Sequence, residues 1–495
     1  MSGHDVGWGV RYDGHMPAAS RRQFLASFAA TALAAKRRPP NILYIMSDDH
    51  AAHAISAYGS RINRTPNIDR IAQGGVRMTN CFCTNSICTP SRAAILTGQY
   101  SHKNGVYTLN DPLDPARNTV AKELKNAGFQ TAMIGKWHLH KDPAGFDYWN
   151  ILPGQGDYYD PTFIEDGMRT KRRGYCTDLI TDFSLNWLAK RDPAKPFFLM
   201  CHHKAPHRPW QPAPKYKDLF SGQVIPEPDN LLDHYEGRSR SVAGVEMKVG
   251  ENSTPTDLKV DRPAGLKGDA LRRWAYQYYI KDYLRCVQSV DDSVGKFLDY
   301  LSVEKLAKDT IVIYTSDQGF FLGDHGFFDK RLMYEESLRM PFLMRYPRAI
   351  KPASVNTDIV LNVDFAPTFL DYAGVRAPDD MQGHSFRANA SGHTPKNWRT
   401  SMYYRYWMHN DPDHHVPAHY GVRTKDWKLI YYYNQPLGMT GSTANGAPSE
   451  WELFDIKNDP HEMKNLYGDP AQKGTVDRLK AEMDRLQREL GDAPA

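Results

Sequence analysis

Short runs of apolar, β-branched and aromatic residues recur along the chain, and each stops at a cluster of polar residues. "NILYIM" runs into Ser47-Asp48-Asp49, "TAMIG" into Lys136-Trp137-His138, "PFFLMC" into the histidine-rich "HHKAPHRP", and "TIVIYT" into Ser316-Asp317-Gln318-Gly319. Apolar runs of this length without polar alternation predict strands covered on both faces. Amphipathic helices lie between them: Tyr276, Ile280, Leu284, Val287, Val290, Val294, Phe297 and Leu301 recur at spacings of three and four. Strand and helix in alternation predict an α/β fold, a doubly wound, mostly parallel sheet with helices on both faces. Ligands bind such sheets beyond the carboxyl ends of the strands, where all four polar clusters fall, so one site can collect them.

The texture changes twice. Residues 221–270 are rich in Pro, Gly and charge with little periodicity, and read as a long surface insertion that walls a pocket. After residue 395 come tyrosine-rich runs, "SMYYRYW" and "KLIYYYN", then "WELFDIKNDP" and a last helix with Val476, Leu479, Met483 and Leu486 on one face. These predict a smaller C-terminal α+β domain, residues 396–495, beside a main domain of residues 39–395.

Composition narrows the function. With 495 residues, 41% hydrophobic and 24% charged, the chain is long enough for a large core and is neither a disordered tail nor a small stapled scaffold. The net charge of +5 is spread without a long Lys/Arg block, which argues against nucleic acid and leaves acidic small substrates or sulfated and phosphorylated polymers. Arg21 and Arg22 precede an apolar run, Phe24 to Ala35, too short to span a bilayer; residues 1–38 read as an export signal, with no membrane span left after its removal. The order Ser-Arg-Arg-x-Phe-Leu resembles a twin-arginine signal, which implies the Tat export machinery and a bacterial periplasmic or extracellular destination. Six cysteines in so long an exported chain do not make a disulfide framework, and most read as small buried residues.

Asp48-Asp49 and Asp317-Gln318 each follow a buried strand, and adjacent carboxylates there are costly unless something positive joins them. Four oxygen donors without clustered Cys or His point to a hard cation of the calcium type. In "SICTPSRAAILTG", Thr89 as N-cap and Pro90 at the first helical position start a helix that Gly98 can end. Cys88 then stands at a helix N-terminus, where negative charge is favoured, with Arg92 four residues on. A low-pKa nucleophilic thiol and a buried structural cysteine both fit that setting. Lys136 and His138, two apart on an extended segment, face one side. His202 and His203 read as structural, and His325 in "LGDHG" as a solvated or capping residue.

These residues carry a resemblance. "SICTPSRAAILTG" matches the sulfatase signature around Cys-x-Pro-Ser-Arg, and "GFQTAMIGKWH" is similar to the second signature, with Phe129 where Tyr or Val is usual. The order Asp-Asp, Cys-x-Pro-Ser-Arg, Gly-Lys-x-His, Pro-His, Asp-Gln-Gly and Lys330 spans roughly residues 40 to 335, and "WELFDIKNDPHEMKNLYGDP" resembles the C-terminal end of the family. The resemblance implies an alkaline-phosphatase-like fold, and a Cys88 converted to formylglycine by a formylglycine-generating enzyme, the aldehyde hydrate supplying the nucleophile. It implies calcium on Asp48, Asp49, residue 88, Asp317 and Gln318; Arg92 and Lys136 on the sulfate; His138 as base; and His207 and Lys330 at the leaving oxygen. Gln318 departs from the usual Asn by one methylene. The branch resembled includes N-acetylglucosamine-6-sulfatases and other glycosaminoglycan sulfatases, which implies a sulfated saccharide substrate. A sugar subsite is then expected among Tyr403, Tyr404, Trp407, Tyr420, His414, His415 and Arg423, residues that fit equally as core of the small domain. The alternatives are a phosphonate or phosphate monoester hydrolase of the same fold and a non-catalytic carbohydrate-binding protein.

Overall fold

The four apolar runs become neighbouring strands. In a computed structural model, which describes residues 38–493 together with residues 3–5, 7 and 9, the large sheet holds β1 (Asn41–Ser47), β2 (Val76–Met78), β3 (Gln130–Lys136), β4 (Tyr148–Leu152), β5 (Thr162–Glu165), β6 (Met168–Lys171), β7 (Phe197–His202), β8 (Thr310–Ser316), β9 (Phe342–Arg345) and β10 (Ser354–Asn356). Their order is β10-β2-β9-β8-β1-β7-β3-β4-β5-β6. The middle, β8-β1-β7-β3-β4, is parallel throughout. Antiparallel pairs flank it, β9 beside β8 on one side and β5 beside β4 on the other. The four strands that end in polar clusters are therefore adjacent, with their carboxyl ends on one edge.

Burial on both faces explains the unbroken apolar runs. Along β1, Ile42, Tyr44 and Met46 enter one hydrophobic cluster while Leu43 and Ile45 enter the other. One face is covered by α1 (Pro66–Gln73), α3 (Cys176–Lys190) and the long α4 (Gly268–Val303). The eight residues that predicted α4 are all buried in that face's cluster. The other face packs α2 (Cys88–Thr97) and α5 (Phe365–Ala373).

A second sheet, antiparallel, joins β11 (Ser401–Tyr406), β12 (His419–Thr424), β13 (Trp427–Tyr432) and β14 (Glu450–Asp455) in sequence order. Helix α6 (Lys473–Leu490) lies against it and buries Val476, Leu479 and Met483. Met402, Tyr403 and Leu429 of this sheet belong to the same hydrophobic cluster as Tyr44 and Phe365.

Residues 221–270 differ from the surface insertion expected. They carry short helices at Arg240–Ala243 and Pro255–Leu258, and Val242, Val245, Met247 and Val249 are buried. The segment is a strap: Val249 N–H donates to Gly326 O at 2.8 Å, and Ser239 N–H donates to Glu452 Oε1 of β14 at 2.9 Å. All six cysteines are buried and unpaired. No helix among the described residues is long and apolar enough to cross a membrane. The twin-arginine stretch around Arg21 and Arg22 lies outside the described residues.

Candidate active site

Three carboxylates meet at the carboxyl ends of β1 and β8. Oxygens of Asp48, Asp49 and Asp317 lie within 4.8 Å of one another, and all three side chains are fully buried. Asp49 occupies left-handed backbone, φ 63, which Asp tolerates better than most residues. Its N–H donates to Asp317 Oδ1 at 3.2 Å, and Tyr283 of α4 donates its hydroxyl to Asp49 O at 2.7 Å.

Four cationic or histidine side chains close around this cluster. Arg92 donates Nε and Nη2 to Asp317 Oδ2 at 3.0 and 2.8 Å, and Nη1 to the Lys136 carbonyl at 2.6 Å. Lys136 Nζ lies on Asp48 Oδ2. Lys330 Nζ sits 2.7 Å from Asp49 Oδ1. His207 Nδ1 is 2.6 Å from the Arg208 carbonyl, which can only accept; Nδ1 therefore carries the proton and Nε2 faces Asp49 Oδ2 at 3.7 Å.

Cys88 opens α2, with its Sγ 3.5 Å from Asp48 Oδ1. Asp48, Cys88 and His207 also present donor atoms within 4.8 Å of one another. The helix starts two residues earlier than expected: Ile87 is the N-cap, Thr89 is inside the helix with its hydroxyl 3.4 Å from Leu109 O, and Gly98 ends it at φ 65. Burial, and then Asp48, push the Cys88 thiol well above its ordinary range. That overturns the low-pKa thiol: as cysteine, this side chain is a protonated, weak nucleophile.

His138 also differs from expectation. β3 ends at Lys136 and His138 turns into left-handed backbone, φ 55, so the two do not share one extended face. Burial, then Lys136 and Arg92, hold its imidazole well below the usual range and therefore neutral. Its Nδ1 is buried and meets no hydrogen-bond partner among the described residues.

The charges show where the cluster is unfinished. Burial works to raise Asp48, but Lys136 and Arg92 outweigh it and hold that carboxyl well below the usual range. Asp49 is pushed up to about 7 by burial, with Asp48 and Asp317 adding to it against Lys330. Asp317 is raised by burial and then Asp48. Gln318 donates Nε2 to Asp49 Oδ1 at 2.5 Å, while its buried Oε1 has no hydrogen-bond partner among the described residues. Burial thus keeps Asp49 and Asp317 costly to ionise despite Arg92, Lys136 and Lys330, and the oxygen donors of Asp48, Asp49, Asp317 and Gln318 suit a hard divalent cation.

Residues 40–375 match the family described as Sulfatase. The chain belongs to the sulfatase family. A second match, N-sulphoglucosamine sulphohydrolase, C-terminal, covers residues 323–489. An N-acetylglucosamine-6-O-sulfatase of Bacteroides thetaiotaomicron is 43% identical, across 94% of this chain and 88% of its own. A solved protein in complex with its substrate D-glucosamine-2-N,6-O-disulfate superposes with a TM-score of 0.87 at 43% identity, covering 92% of this chain and 99% of that one. A phosphonate monoester hydrolase from Silicibacter pomeroyi shares the fold, with a TM-score of 0.71 at 22% identity over 91% of this chain and 95% of its own.

This sulfatase also holds site neighbours that the motifs did not single out, Asp329, Arg331 and Asp411, which gather around His414 of the expected sugar subsite. Lys330 is the near end of a buried polar network in which Arg331 pairs with Asp329, and His414 lies 3.4 Å from Asp329 Oδ2 and 3.0 Å from Asp411 Oδ1. Arg331 Nε, Asp411 Oδ2 and His414 Nε2 each lack a hydrogen-bond partner among the described residues. Asp329 and Arg331 flank Lys330 directly, and their left-handed backbone, φ 76 and 87, was invisible to spacing arguments. Of the expected sugar subsite, Tyr403 and Tyr404 are fully buried, with hydroxyls on Asp492 and the Arg331 carbonyl, and Arg423 is held by Glu335 at 3.1 Å. Tyr420 packs in the same core, and Trp407 lies under Arg405 at 3.5 Å. His415 bonds Asn410 at 3.2 Å, apart from the carboxylates. His325 is not solvated: it is fully buried, with Nδ1 3.0 Å from Asp233. His202 and His203 are structural as expected, on the Lys136 carbonyl at 3.2 Å and on Ser293 at 3.0 Å.

Proposed function

We propose that this sulfatase releases inorganic sulfate from sulfated saccharides, with the 6-O-sulfate of N-acetylated or N-sulfated glucosamine as its preferred ester. The observation that carries the reading is the convergence of three buried carboxylates, Cys88, Arg92, Lys136, His207 and Lys330 on one sheet edge, in a chain 43% identical to an N-acetylglucosamine-6-O-sulfatase over nearly its whole length. Arg331 Nε, Asp411 Oδ2 and His414 Nε2, beside Lys330, make ion-pair approaches of 3.4–3.8 Å but no hydrogen bond among the described residues, and they support a hydroxyl-rich ligand, because a sugar supplies both donors and acceptors.

Asp48, Asp49, Asp317 and Gln318 hold a calcium ion, which supplies positive charge for the oxygens of the ester. Residue 88 acts as formylglycine, whose hydrate supplies a nucleophile that the buried thiol cannot. Arg92 and Lys136 bind sulfate oxygens and orient the sulfur toward residue 88. His138, kept neutral among cations, accepts the proton from that side. Burial alone would lower Lys330, but Asp329 and Asp49 hold its pKa well above the ordinary value, so it stays charged and donates to the departing sugar oxygen. His207 donates Nδ1–H to Arg208 O, and this fixes its ring beside the ester. The leader around Arg21 and Arg22 directs export through the twin-arginine route; replacing both with Lys leaves the protein inside the cell.

The test is a panel of sulfated mono- and disaccharides beside an aryl sulfate and a phosphonate monoester, scored by kcat/KM. The expected order places 6-O-sulfated N-acetylglucosamine or its N-sulfated counterpart first. A phosphonate in first place overturns the ester class, and turnover of aryl sulfates alone overturns the sugar preference.

A further inference from the structure

Gln155 is exposed, yet its side chain reaches the innermost ammonium of the site. It stands in the loop 153–157, directly after β4, between Gly154 and Gly156, whose φ values of 54 and 67 turn the chain back toward the sheet edge. Two bonds tie it inward. Lys136 Nζ donates to Gln155 Oε1 at 2.5 Å, and Lys204 Nζ donates to the Gln155 carbonyl at 3.2 Å. Lys204 is itself buried, with its ammonium 4.9 Å from the centre of the Tyr158 ring. The loop is therefore pinned by a buried cation at its main chain and placed on a second cation by its side chain.

Lys136 is fully buried, and its only other side-chain partner among the described residues is Asp48. Asp48 takes the ammonium from within and Gln155 from the solvent side. An ammonium has three N–H donors, so one remains for a ligand oxygen. The Nε2 of Gln155 meets no acceptor among the described residues, which leaves an amide donor free beside that ammonium. Sulfate ester oxygens only accept, and a charged N–H next to a neutral N–H is a matched pair for them.

We propose that Gln155 is a sulfate-recognition residue. Its carboxamide oxygen accepts a second N–H of the Lys136 ammonium that Asp48 already holds, and its N–H donates to an oxygen of the sulfate group. The proposal rests on the reading of Lys136 as a sulfate contact. The interaction is made to substrate and transition state alike, so it acts on KM more than on kcat.

The experiment compares Gln155→Ala, Gln155→Glu and Lys136→Ala in the full-length, metal-loaded enzyme. Steady-state kinetics on a 6-O-sulfated glucosamine, inhibition by inorganic sulfate and the melting temperature are read for each. Gln155→Ala is expected to raise KM and the sulfate inhibition constant about tenfold, the worth of one hydrogen bond to a charged group, with kcat within about threefold. Gln155→Glu keeps the length but replaces the donor with negative charge, and is expected to raise both constants about a hundredfold. Equal losses in the two variants with a lowered melting temperature would mean that the loop is only structural and overturn the proposal. So would constants within twofold of the parent while Lys136→Ala is inactive. A Lys136→Ala variant with full activity overturns the underlying reading of the site instead.

Discussion

Gly135, one residue before Lys136, leaves no room for a side chain. It lies in β3 opposite His202 of β7, with φ 106, a region that residues with a Cβ rarely enter. A Cβ built there falls inside contact distance of the His202 carbonyl oxygen, 2.9 Å from its carbon and 3.2 Å from Ile180 Cδ1. The obstacle is backbone, which cannot rotate aside. Gly135→Ala therefore combines a backbone strain of about 1–3 kcal/mol with an overpacking cost of about 1–3 kcal/mol, for a loss of about 2–6 kcal/mol. The strand can relieve the collision only by moving its end, and that end carries the Lys136 carbonyl, which accepts from Arg92 at 2.6 Å and His202 at 3.2 Å. A displacement of about 1 Å in a catalytic constellation costs about a hundredfold in rate. Gly128, in the turn before β3, separates the two causes: its φ is 88, yet nothing lies within 4 Å of an added Cβ. Gly128→Ala is expected to lose about 1–2 kcal/mol and no activity. Thermal unfolding and kcat/KM on the folded protein measure both variants. Equal melting temperatures for the two, with kcat/KM within twofold of the parent, would refute the collision argument.

The peptide containing Cys88, from a host with the modifying machinery, should weigh less than its cysteine form, and Cys88→Ala should lower turnover about a thousandfold or more with the fold retained. An unmodified thiol in fully active protein refutes the role of residue 88. Chelation should abolish activity and calcium restore it; calcium at a hundred times its dissociation constant should also add about 2.7 kcal/mol to stability, read as a rise in melting temperature that Asp317→Ala lacks. Asp291 of α4 accepts from the Asn67 and Ile68 N–H groups at 3.0 and 2.9 Å at the start of α1, and burial raises its carboxyl to about 6. Its folded pKa lies above the unfolded one, so stability is full below pH about 4 and is lost as pH rises to about 6, by about 2–3 kcal/mol. Asp291→Asn should lack that slope, and a parent-to-variant difference in unfolding free energy that does not change with pH refutes the assignment.

Much of the layout of the charged cluster was legible because it is local. Asp48-Asp49 and Asp317-Gln318 sit at the ends of apolar runs whose burial on both faces requires a parallel sheet, and a parallel sheet places successive strand ends on one edge. The Cys88–Arg92 spacing is a property of any helix, and the α4 stripe follows from its 3.6-residue period. What failed were inferences about backbone conformation at single residues. His138, Asp329 and Arg331 carry no glycine to announce their positive φ, and surrounding contacts rather than local preference hold them there. The tyrosines of β11 illustrate a second limit: composition suited both a sugar platform and a core, and only the packing of the second sheet into the shared hydrophobic cluster decided for the core.

The sequence by itself determined the fold class and marked the acidic strand ends and the residues of the charged centre, since each depends on residue type and short spacing. Tertiary structure alone decided which cation meets which carboxylate. It also showed that the Cys88 thiol is too buried to be a ready nucleophile, and that Gln155, nineteen residues after Lys136, bonds its ammonium. These are relations between side chains brought together by chain crossings, and their energies depend on distance and burial, which no pattern along the chain encodes.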